Sequence, residues 1–205
     1  MLQRNTLEES TLVLLTDLLK FPIFKDLRLV GGTALALQLG HRHSIDLDLF
    51  GIIAEDLDVA KIENILQDAG FKVQVLHGGK VIKSMFVNNI KVDIVGNHQD
   101  WIDPPIETEG VRMAGLKDIA AMKLHAITGR GRRKDFVDFH FLLQHFTLKQ
   151  MFDFYQKKYP KNSLFLVEKS LTYFHDAEQD PMPEMFIDVS WEAMKSSIQN
   201  AIRNF

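Results

Sequence analysis

The sequence predicts an α+β protein: a small mixed or antiparallel sheet flanked by helices, followed by a C-terminal helical bundle. Short segments within residues 28–95 alternate apolar and polar residues, as half-buried strands do. From residue 115 onward, apolar residues recur at helical spacing instead. A Gly-Gly pair at 31–32 separates the first strand from a helix. We therefore expect a core over residues 1–110 and a helical region over residues 111–205 packed on it.

Composition limits the class of protein. The 205 residues are 46% hydrophobic and include 15 Phe, which is enough for a substantial core. The absence of Cys excludes disulfide scaffolds and thiolate zinc sites and is typical of a reducing compartment. A net charge of −3 argues against a generic nucleic-acid coat. The N-terminus lacks a signal pattern and no apolar run reaches membrane length, so we expect a cytoplasmic protein with no membrane partner.

The elements follow in order from periodicity and from turn residues. Pro22 follows the first predicted helix, and Gly70 ends the predicted helix over residues 55–69. The Gly78-Gly79 and Asn88-Asn89 pairs mark turns between three antiparallel strands. The predicted elements are helix 7–20, strand 28–30, a helix opening at Thr33, strand 44–50, helix 55–69, strands 71–76, 80–87 and 90–95, a connector over 96–114, helices 116–128 and 134–146, and apolar helical stripes over 148–155, 164–174 and 191–205.

The second strand carries the first candidate chemistry. Side chains alternate faces along a strand, so Ser44, Asp46 and Asp48 share one face. Two neighbouring carboxylates repel unless a cation lies between them, and hard oxygen ligands favour Mg²⁺ or Mn²⁺. Asp93 lies in an otherwise apolar strand, where a carboxylate is costly unless paired, and becomes a candidate third ligand. The alternatives are aspartates that simply face water, on a half-exposed strand or an edge strand.

Two later helices carry candidate charged groups. On a helical wheel, Lys123 lies at the centre of the apolar stripe of helix 116–128, where we expect it to reach a triphosphate. Asp118 lies opposite, in the first turn, and a favourable interaction with the helix dipole is a sufficient role for it. Asp135 projects within the apolar arc of the next helix, whereas Asp138 lies outside it. Asp135 is therefore the better candidate for the site.

A basic run precedes that helix. It offers a surface for a nucleic-acid backbone, or it is a solvated loop; it comprises Arg130, Arg132, Arg133 and Lys134. A zinc or iron site at His41-x-His43 has little downstream support. Ser44 lacks the partners of a nucleophilic serine, and a phosphate contact by Arg42 and Ser44 is simpler.

In combination, these motifs resemble a known family. Gly-Gly-Thr followed by Arg-x-Ser-x-Asp-x-Asp resembles the nucleotidyltransferase fold of the DNA polymerase β superfamily. Three segments are most similar to the AbiEii toxin-type nucleotidyltransferases: GGTALALQLGHRHSIDLDLF, KVDIV and LKDIAAMKLHAITGRGRRKDFVDFHFLL. The resemblance covers residues 25–146 and implies catalytic Asp46, Asp48, Asp93, Lys123 and Asp135, with Mg²⁺ or Mn²⁺ on the first three. It implies nucleotide binding by Gly31, Gly32, Thr33, Arg42, Ser44 and Lys123.

The same resemblance implies a function. A toxin of a toxin–antitoxin pair would move a nucleoside monophosphate from an NTP to an acceptor hydroxyl, RNA and the tRNA 3′ end being the expected acceptor, with a cognate antitoxin as partner. The acceptor is not visible in the residues themselves. Alternatives are transfer to a small molecule or a protein, or a non-catalytic nucleotide-binding or interaction module. A module needs only its fold, so the presence of all three carboxylates with Lys123 and Asp135 favours catalysis.

Overall fold

The computed structural model describes residues 1–96 and 99–205. Within them, the α-helices are α1 (Glu9–Leu18), α2 (Gly31–Leu39), α3 (Val59–Asp68), α4 (Leu116–Gly129), α5 (Arg133–Leu142), α6 (Leu148–Lys158), α7 (Leu164–Leu171) and α8 (Trp191–Arg203). The strands are β1 (Leu27–Leu29), β2 (Leu47–Gly51), β3 (Val73–Gly78), β4 (Ile82–Val87), β5 (Ile90–Gly96), β6 (Ile106–Thr108) and β7 (Val111–Met113). Among these residues, no helix is both long and apolar enough to cross a membrane.

All the described strands form one mixed sheet in the order β3-β4-β5-β2-β1-β7-β6. The β3-β4-β5 meander is antiparallel, as the sequence predicts, and Asn88 and Asn89 take positive φ in its second turn. β5 joins β2 in parallel, while β2 and β1 run antiparallel. The predicted α+β class, with a mixed sheet and a helical C-terminal part, is confirmed.

The predicted connector contains two strands that the sequence reading missed. β6 and β7 form a hairpin, with positive φ at Glu109 and Gly110 in its turn, and β7 pairs in parallel with β1. The sheet therefore extends past residue 110, and the C-terminal helices start at Leu116. Residues 97 and 98 of the predicted connector lie outside the described residues. The division into a core and a helical region stays a prediction.

A continuous apolar core joins the sheet to the C-terminal helices. Leu47 of β2, Ile119 of α4, Phe136 of α5 and Tyr155 of α6 are all buried in the same cluster. α4 packs against α2, α5, α6 and α7 and so couples the sheet side to the bundle. Side chains of α2, β2, α4 and α5 consequently meet in one place.

Candidate active site

Three aspartates lie along one edge of the site, and we call Asp46, Asp48 and Asp93 the carboxylate edge. Asp48 and Asp93 are Cα partners on the parallel strands β2 and β5. Partners in register project from the same face of a sheet, so both carboxylates point the same way. Asp46 immediately precedes β2, which begins at Leu47 rather than at residue 44. The sequence-based expectation that Asp93 faces the same way as Asp48 agrees with this register.

The carboxylate edge carries incompletely balanced negative charge. Burial raises the pKa of the Asp48 carboxyl, and the nearby charges of Asp93 and Asp46 raise it further. Lys91 Nζ lies 2.7 Å from Asp93 Oδ2, and Ser84 donates a hydrogen bond to Asp93 Oδ1. Asp46 is 44% exposed and has the Lys134 amine 3.8 Å away. Burial and the two neighbouring carboxylates therefore both disfavour the negative charge of Asp48.

Divalent cations fit this edge by donor chemistry. Three carboxylates supply the hard oxygen ligands that Mg²⁺ and Mn²⁺ take, and a cation would remove the repulsion that raises the pKa of Asp48. The side chains are not gathered around one point, however. Among residues 1–96 and 99–205, no group of three or more His or acidic side chains is arranged to hold a metal ion.

Gly31 brings the backbone against Asp48. The helix α2 begins at Gly31, two residues before the predicted start at Thr33, and Gly31 has φ +70°. A Cβ on Gly31 would lie 2.6 Å from Asp48 Oδ2. Both the left-handed conformation and the close approach require glycine here. The Gly-Gly pair is thus the first turn of the helix and sits directly on the carboxylate edge.

The hydroxyls predicted to cradle phosphate are engaged within the protein. Thr33 Oγ1 lies 2.8 Å from Ser44 Oγ and also donates to the carbonyl oxygen of Asp46. Both side chains are buried, and Thr33 lies within the first turn of α2, which has Val30 at its N-cap position, instead of opening the helix as predicted. These bonds fix the backbone that presents Asp46.

Beneath the edge lies a second group of charges, the buried charge cluster of His41, Arg42, Lys123, Asp135 and Asp138. The Lys123 amine lies 3.0 Å from Asp135 Oδ1 and 2.5 Å from Asp138 Oδ2. Arg42 donates through Nε and Nη2 to the two oxygens of Asp138, at 2.7 and 2.9 Å. His41 Nε2 is 2.8 Å from Asp138 Oδ1. Asp138 is the common partner of three of these groups.

Charge pairing overcomes burial in this cluster. Burial by itself raises the pKa of Asp138, but the charges of Arg42 and Lys123, with hydrogen bonds from His41 and Arg42, hold that pKa well below its usual value. Burial likewise opposes ionisation of Lys123, and the charges of Asp138 and Asp135 outweigh it, so its pKa is raised. The charged forms of Arg42, Lys123, Asp135 and Asp138 are therefore the stabilised ones.

The cluster changes the interpretation of two predicted residues and adds a third. Arg42 is 4% exposed and bound to Asp138, so its guanidinium is not directed at a phosphate. Lys123 borders the cavity, but its amine is paired with two carboxylates instead of being free for a triphosphate. Asp138, which the wheel placed outside the apolar arc, is fully buried. The available signal was its spacing of three residues from Asp135, which puts both carboxylates on neighbouring positions of α5.

Gly32 makes room for Arg42. A Cβ on Gly32 would overlap Arg42 Nη2 and would lie 3.5 Å from Asp138 Oδ2. The absent side chain lets the guanidinium lie directly against the first turn of α2. Gly31 thus contacts the carboxylate edge, whereas Gly32 contacts the buried charge cluster.

Asp118 has a larger structural role than the helix-dipole prediction. It is fully buried, and its carboxylate accepts hydrogen bonds from the backbone N–H groups of Ile102 and Asp103. Lys158 Nζ lies 2.8 Å from Asp118 Oδ1 and stacks over Trp101 at 4.3 Å. The helix dipole is therefore not a sufficient account of Asp118, because the segment around Trp101 and α6 covers the first turn of α4 and supplies its partners.

The basic run is divided between structure and surface. Arg130 binds Asp135 through Nε and Nη2, at 2.9 and 3.1 Å. Arg133 donates to the carbonyl of Ala177 and lies over the Trp191 ring at 5.0 Å, so it connects α5 to the segment before α8. Arg132 is exposed, and Lys134 faces Asp46. Only part of the predicted nucleic-acid surface is therefore available.

A cavity of about 330 Å³ opens beside Asp48 and Gly31. Lys123 and Arg130 contribute to its charged side. Gly31, Asp48 and Lys123 are thus brought to one cavity, whereas neither Arg42 nor Asp93 belongs to its described lining. The geometry provides a helix N-terminus, a carboxylate and cationic groups around a space of ligand size.

Known proteins share this sequence pattern. A family model described as "Nucleotidyl transferase AbiEii toxin, Type IV TA system" matches residues 13–204. The chain belongs to this family. As an AbiEii family member it is a nucleotidyl transfer enzyme of a type IV toxin–antitoxin class, which confirms the sequence-based assignment.

Relatives of this AbiEii protein match over most of their length. The protein aq_aa25 of Aquifex aeolicus (strain VF5) is 31% identical over 187 residues, covering 89% of each chain. JHP933 from Helicobacter pylori has a TM-score of 0.57 at 19% identity, covering 97% of this chain and 94% of that one. MenT4, a nucleotidyltransferase toxin of Mycobacterium tuberculosis H37Rv, has a TM-score of 0.55 at 13% identity, covering 95% and 80%. At these identities, the two solved structures show a shared fold.

Proposed function

We propose that this AbiEii protein is a metal-dependent nucleotidyltransferase that moves a nucleoside monophosphate from an NTP to a hydroxyl of RNA, at the 3′ end of tRNA, in the cytoplasm. One observation carries the proposal. Asp48 and Asp93 are paired in register on β2 and β5, and Gly31 at the start of α2 lies against Asp48. A helix N-terminus favours a phosphate, and adjacent carboxylates favour a divalent cation.

The carboxylate edge is the proposed metal site. Asp46, Asp48 and Asp93 would hold Mg²⁺ or Mn²⁺. When bound, such ions stabilise the entering and leaving oxygens of a phosphoryl transfer. Asp93 also lies next to Lys91, whose pKa is raised by its hydrogen bond to that carboxylate. A protonated Lys91 therefore lies beside Asp93, the carboxylate proposed to ligate a cation or to accept a proton from the acceptor hydroxyl.

The nucleotide contacts follow from the cavity. Backbone N–H groups at Gly31 and Gly32 would meet the triphosphate, with Lys123 and Arg130 supplying positive charge beside it. Asp135 holds both cations, Lys123 at 3.0 Å and Arg130 at 2.9 Å, and would position them. Thr33 and Ser44 would act on the nucleotide indirectly, through the backbone of Asp46. Arg42 would support the turn from below, as a partner of Asp138.

The RNA acceptor is supported by the free part of the basic run. Arg132 is exposed, and Lys134 stands beside Asp46 at the mouth of the site. A phosphate backbone crossing there would displace counterions and give salt-dependent binding. Transfer to a small molecule or protein hydroxyl uses the same catalytic groups without this patch. Transfer assays also distinguish an active enzyme from a non-catalytic module and test for an antitoxin partner.

The test is transfer of label from α-³²P-NTPs to total RNA in the presence of Mg²⁺. We expect labelled RNA with the unmodified protein, and loss of label with Asp48→Asn, Asp93→Asn or a chelator. Asp56→Asn is the matched control, because Asp56 is 80% exposed and pairs only with Lys61 in the described structure. Prior periodate oxidation of the RNA destroys 3′-terminal diols and should abolish labelling if the acceptor is a 3′ end.

The outcomes separate the candidate functions. Label that stays with protein or with small molecules after RNA is removed would assign a different acceptor and leave the chemistry intact. No transfer from any NTP to RNA, protein or small molecules, with and without the antitoxin, would support a non-catalytic module. Co-purification of an antitoxin that suppresses transfer would support the toxin assignment.

A further inference from the structure

The cavity beside Asp48 has two chemically different sides. Its charged side is formed by Gly31, Asp48, Lys123 and Arg130. Its other side is apolar and aromatic, formed by Phe50, Met122, His125 and Tyr159. Phosphate chemistry uses the first side only, so the second has no role in the transfer described above.

His125 and Tyr159 form a stacked pair, which we call the aromatic wall. Their ring centroids are 4.6 Å apart and the rings are nearly parallel, at 19°. Asn162 donates to Tyr155 Oη at 3.2 Å and contacts His125 Nδ1 at 3.5 Å. Tyr155, itself buried, packs on Tyr159 with centroids 5.2 Å apart. The wall is therefore held by α4, by α6 and by the turn after α6.

The aromatic wall is uncharged at neutral pH. Burial lowers the pKa of His125, so the imidazole is neutral there. Burial, with smaller contributions from Tyr155 and Asp118, raises the pKa of the Tyr159 hydroxyl, so the phenol stays protonated. Neutral flat rings at the side of a polar site attract flat heterocycles by stacking, without attracting further phosphate.

We propose that the aromatic wall receives the nucleobase of the incoming NTP, an inference that rests on the proposed function. The cavity of about 330 Å³ suits a single small molecule, at the lower end of such sites. Its described lining includes Gly31 and Asp48 but neither Asp46 nor Asp93. A triphosphate at the charged side would therefore direct its base to the aromatic side. The acceptor would approach from the Asp93 side of the carboxylate edge.

Stacking alone predicts tolerance among bases. Every base has a π-face, so a stacking contact contributes to all four NTPs rather than selecting one. Removing the ring of Tyr159 should weaken the binding of all four NTPs by a similar factor. Selection of one base would have to come from contacts with its edge.

The experiment measures equilibrium binding of α,β-methylene NTPs, which cannot be transferred, and of inorganic tripolyphosphate, which has no base. Tyr159→Ala should raise the Kd of each NTP analogue by about 5- to 150-fold, the range measured for loss of one base–aromatic stack. The Kd of tripolyphosphate should change less than twofold. Tyr159→Phe keeps the ring and should bind the analogues like the unmodified protein.

A matched control is available elsewhere in the chain. Tyr173 is 56% exposed, contacts His175 at 6.1 Å between centroids, and does not line the cavity. Tyr173→Ala should leave every Kd unchanged. If Tyr159→Ala loses its fold by circular dichroism, His125→Ala removes the exposed half of the wall and should show the same selective loss. Unchanged NTP binding in a folded wall variant, or equal loss of tripolyphosphate binding, would overturn the inference.

Binding and transfer fail separately. Base-dependent binding that requires Tyr159, in a protein that transfers nothing, would sustain the aromatic wall and contradict the proposed function. Normal transfer, together with base-independent binding, would support the proposed function and contradict the aromatic wall. Binding of the analogues no tighter than tripolyphosphate in the unmodified protein would also contradict the aromatic wall.

Discussion

The carboxylate edge and the buried charge cluster are built from the same residue type and behave oppositely. In the cluster, Lys123 and Arg42 outweigh burial and lower the pKa of Asp138. At the edge, burial together with Asp93 and Asp46 raises the pKa of Asp48. The protein thus balances its charges where they support the fold. It leaves negative charge in excess where a cation is proposed to bind.

The two regions meet at the first turn of α2. Gly31 lies against Asp48 and Gly32 against Arg42, so one pair of glycines joins the edge to the cluster. Breaking the buried charge cluster should therefore affect stability first. Breaking the carboxylate edge should affect activity while leaving the fold intact or making it more stable.

The largest expected effect is from Asp138→Ala. It removes the carboxylate partner of the buried Arg42 and leaves Lys123 with Asp135 alone, and removing one partner of such a buried pair typically costs about 3–5 kcal/mol. Urea unfolding followed by circular dichroism measures the loss. Asp153→Ala is the control, because its pair with Lys149 is exposed and worth less than about 1 kcal/mol. Equal stability of the two variants would contradict a stabilising role for the buried charge cluster.

Asp118→Ala extends the comparison to a second buried pair. Asp118 accepts from two backbone N–H groups and from Lys158, so we expect a loss of about 3 kcal/mol, within the range for a broken buried pair. A helix-dipole role alone predicts about 0.3–1 kcal/mol. The same urea titration distinguishes the two values, and transfer activity at a temperature where the variant is folded should be retained.

Asp48→Asn should stabilise the metal-free protein. The folded pKa of Asp48 is raised, so its contribution to stability is present below the unfolded value, near pH 4, and is lost as pH rises through the raised pKa. The advantage of the variant in free energy of unfolding should therefore grow from pH 4 to pH 8. Mg²⁺ should reduce that advantage by stabilising the unmodified protein. If the stability advantage of the variant shrank as pH rises, the raised pKa of Asp48 at the carboxylate edge would be contradicted.

The smallest effect on stability is expected from Lys134→Ala. Its pair with Asp46 spans 3.8 Å between half-exposed side chains, so unfolding should change by less than about 1 kcal/mol. RNA binding should weaken, and the slope of log K against log salt should fall by about 1 in magnitude. Arg132→Ala should behave alike, whereas Arg133→Ala should destabilise the fold because Arg133 anchors α5 to Ala177. A salt slope unchanged by both Lys134→Ala and Arg132→Ala would contradict an RNA path there.

The sequence by itself determined the class of fold and the motif residues. Alternation along a strand predicts that Asp46 and Asp48 share one face, and helical periodicity is sufficient to find the C-terminal helices. It also identified the family from short motifs. These signals are local, since each depends on residues a few positions apart, and they survive in the folded chain.

Only the tertiary structure decided the partners. Arg42 and Asp138 are 96 residues apart and Lys158 and Asp118 are 40 apart, so no local period reports their contact. The wheel placed Asp118 opposite the apolar stripe of its helix and Asp138 outside that of the next, because it orders a helix by its apolar stripe and cannot detect a cation supplied by another element. The sequence pattern did not predict the β6–β7 hairpin for a similar reason. Its strands have three residues each, too few to show a period, and β7 is held by its pairing with β1. Long-range pairing, which a linear pattern does not encode, fixed these parts of the site.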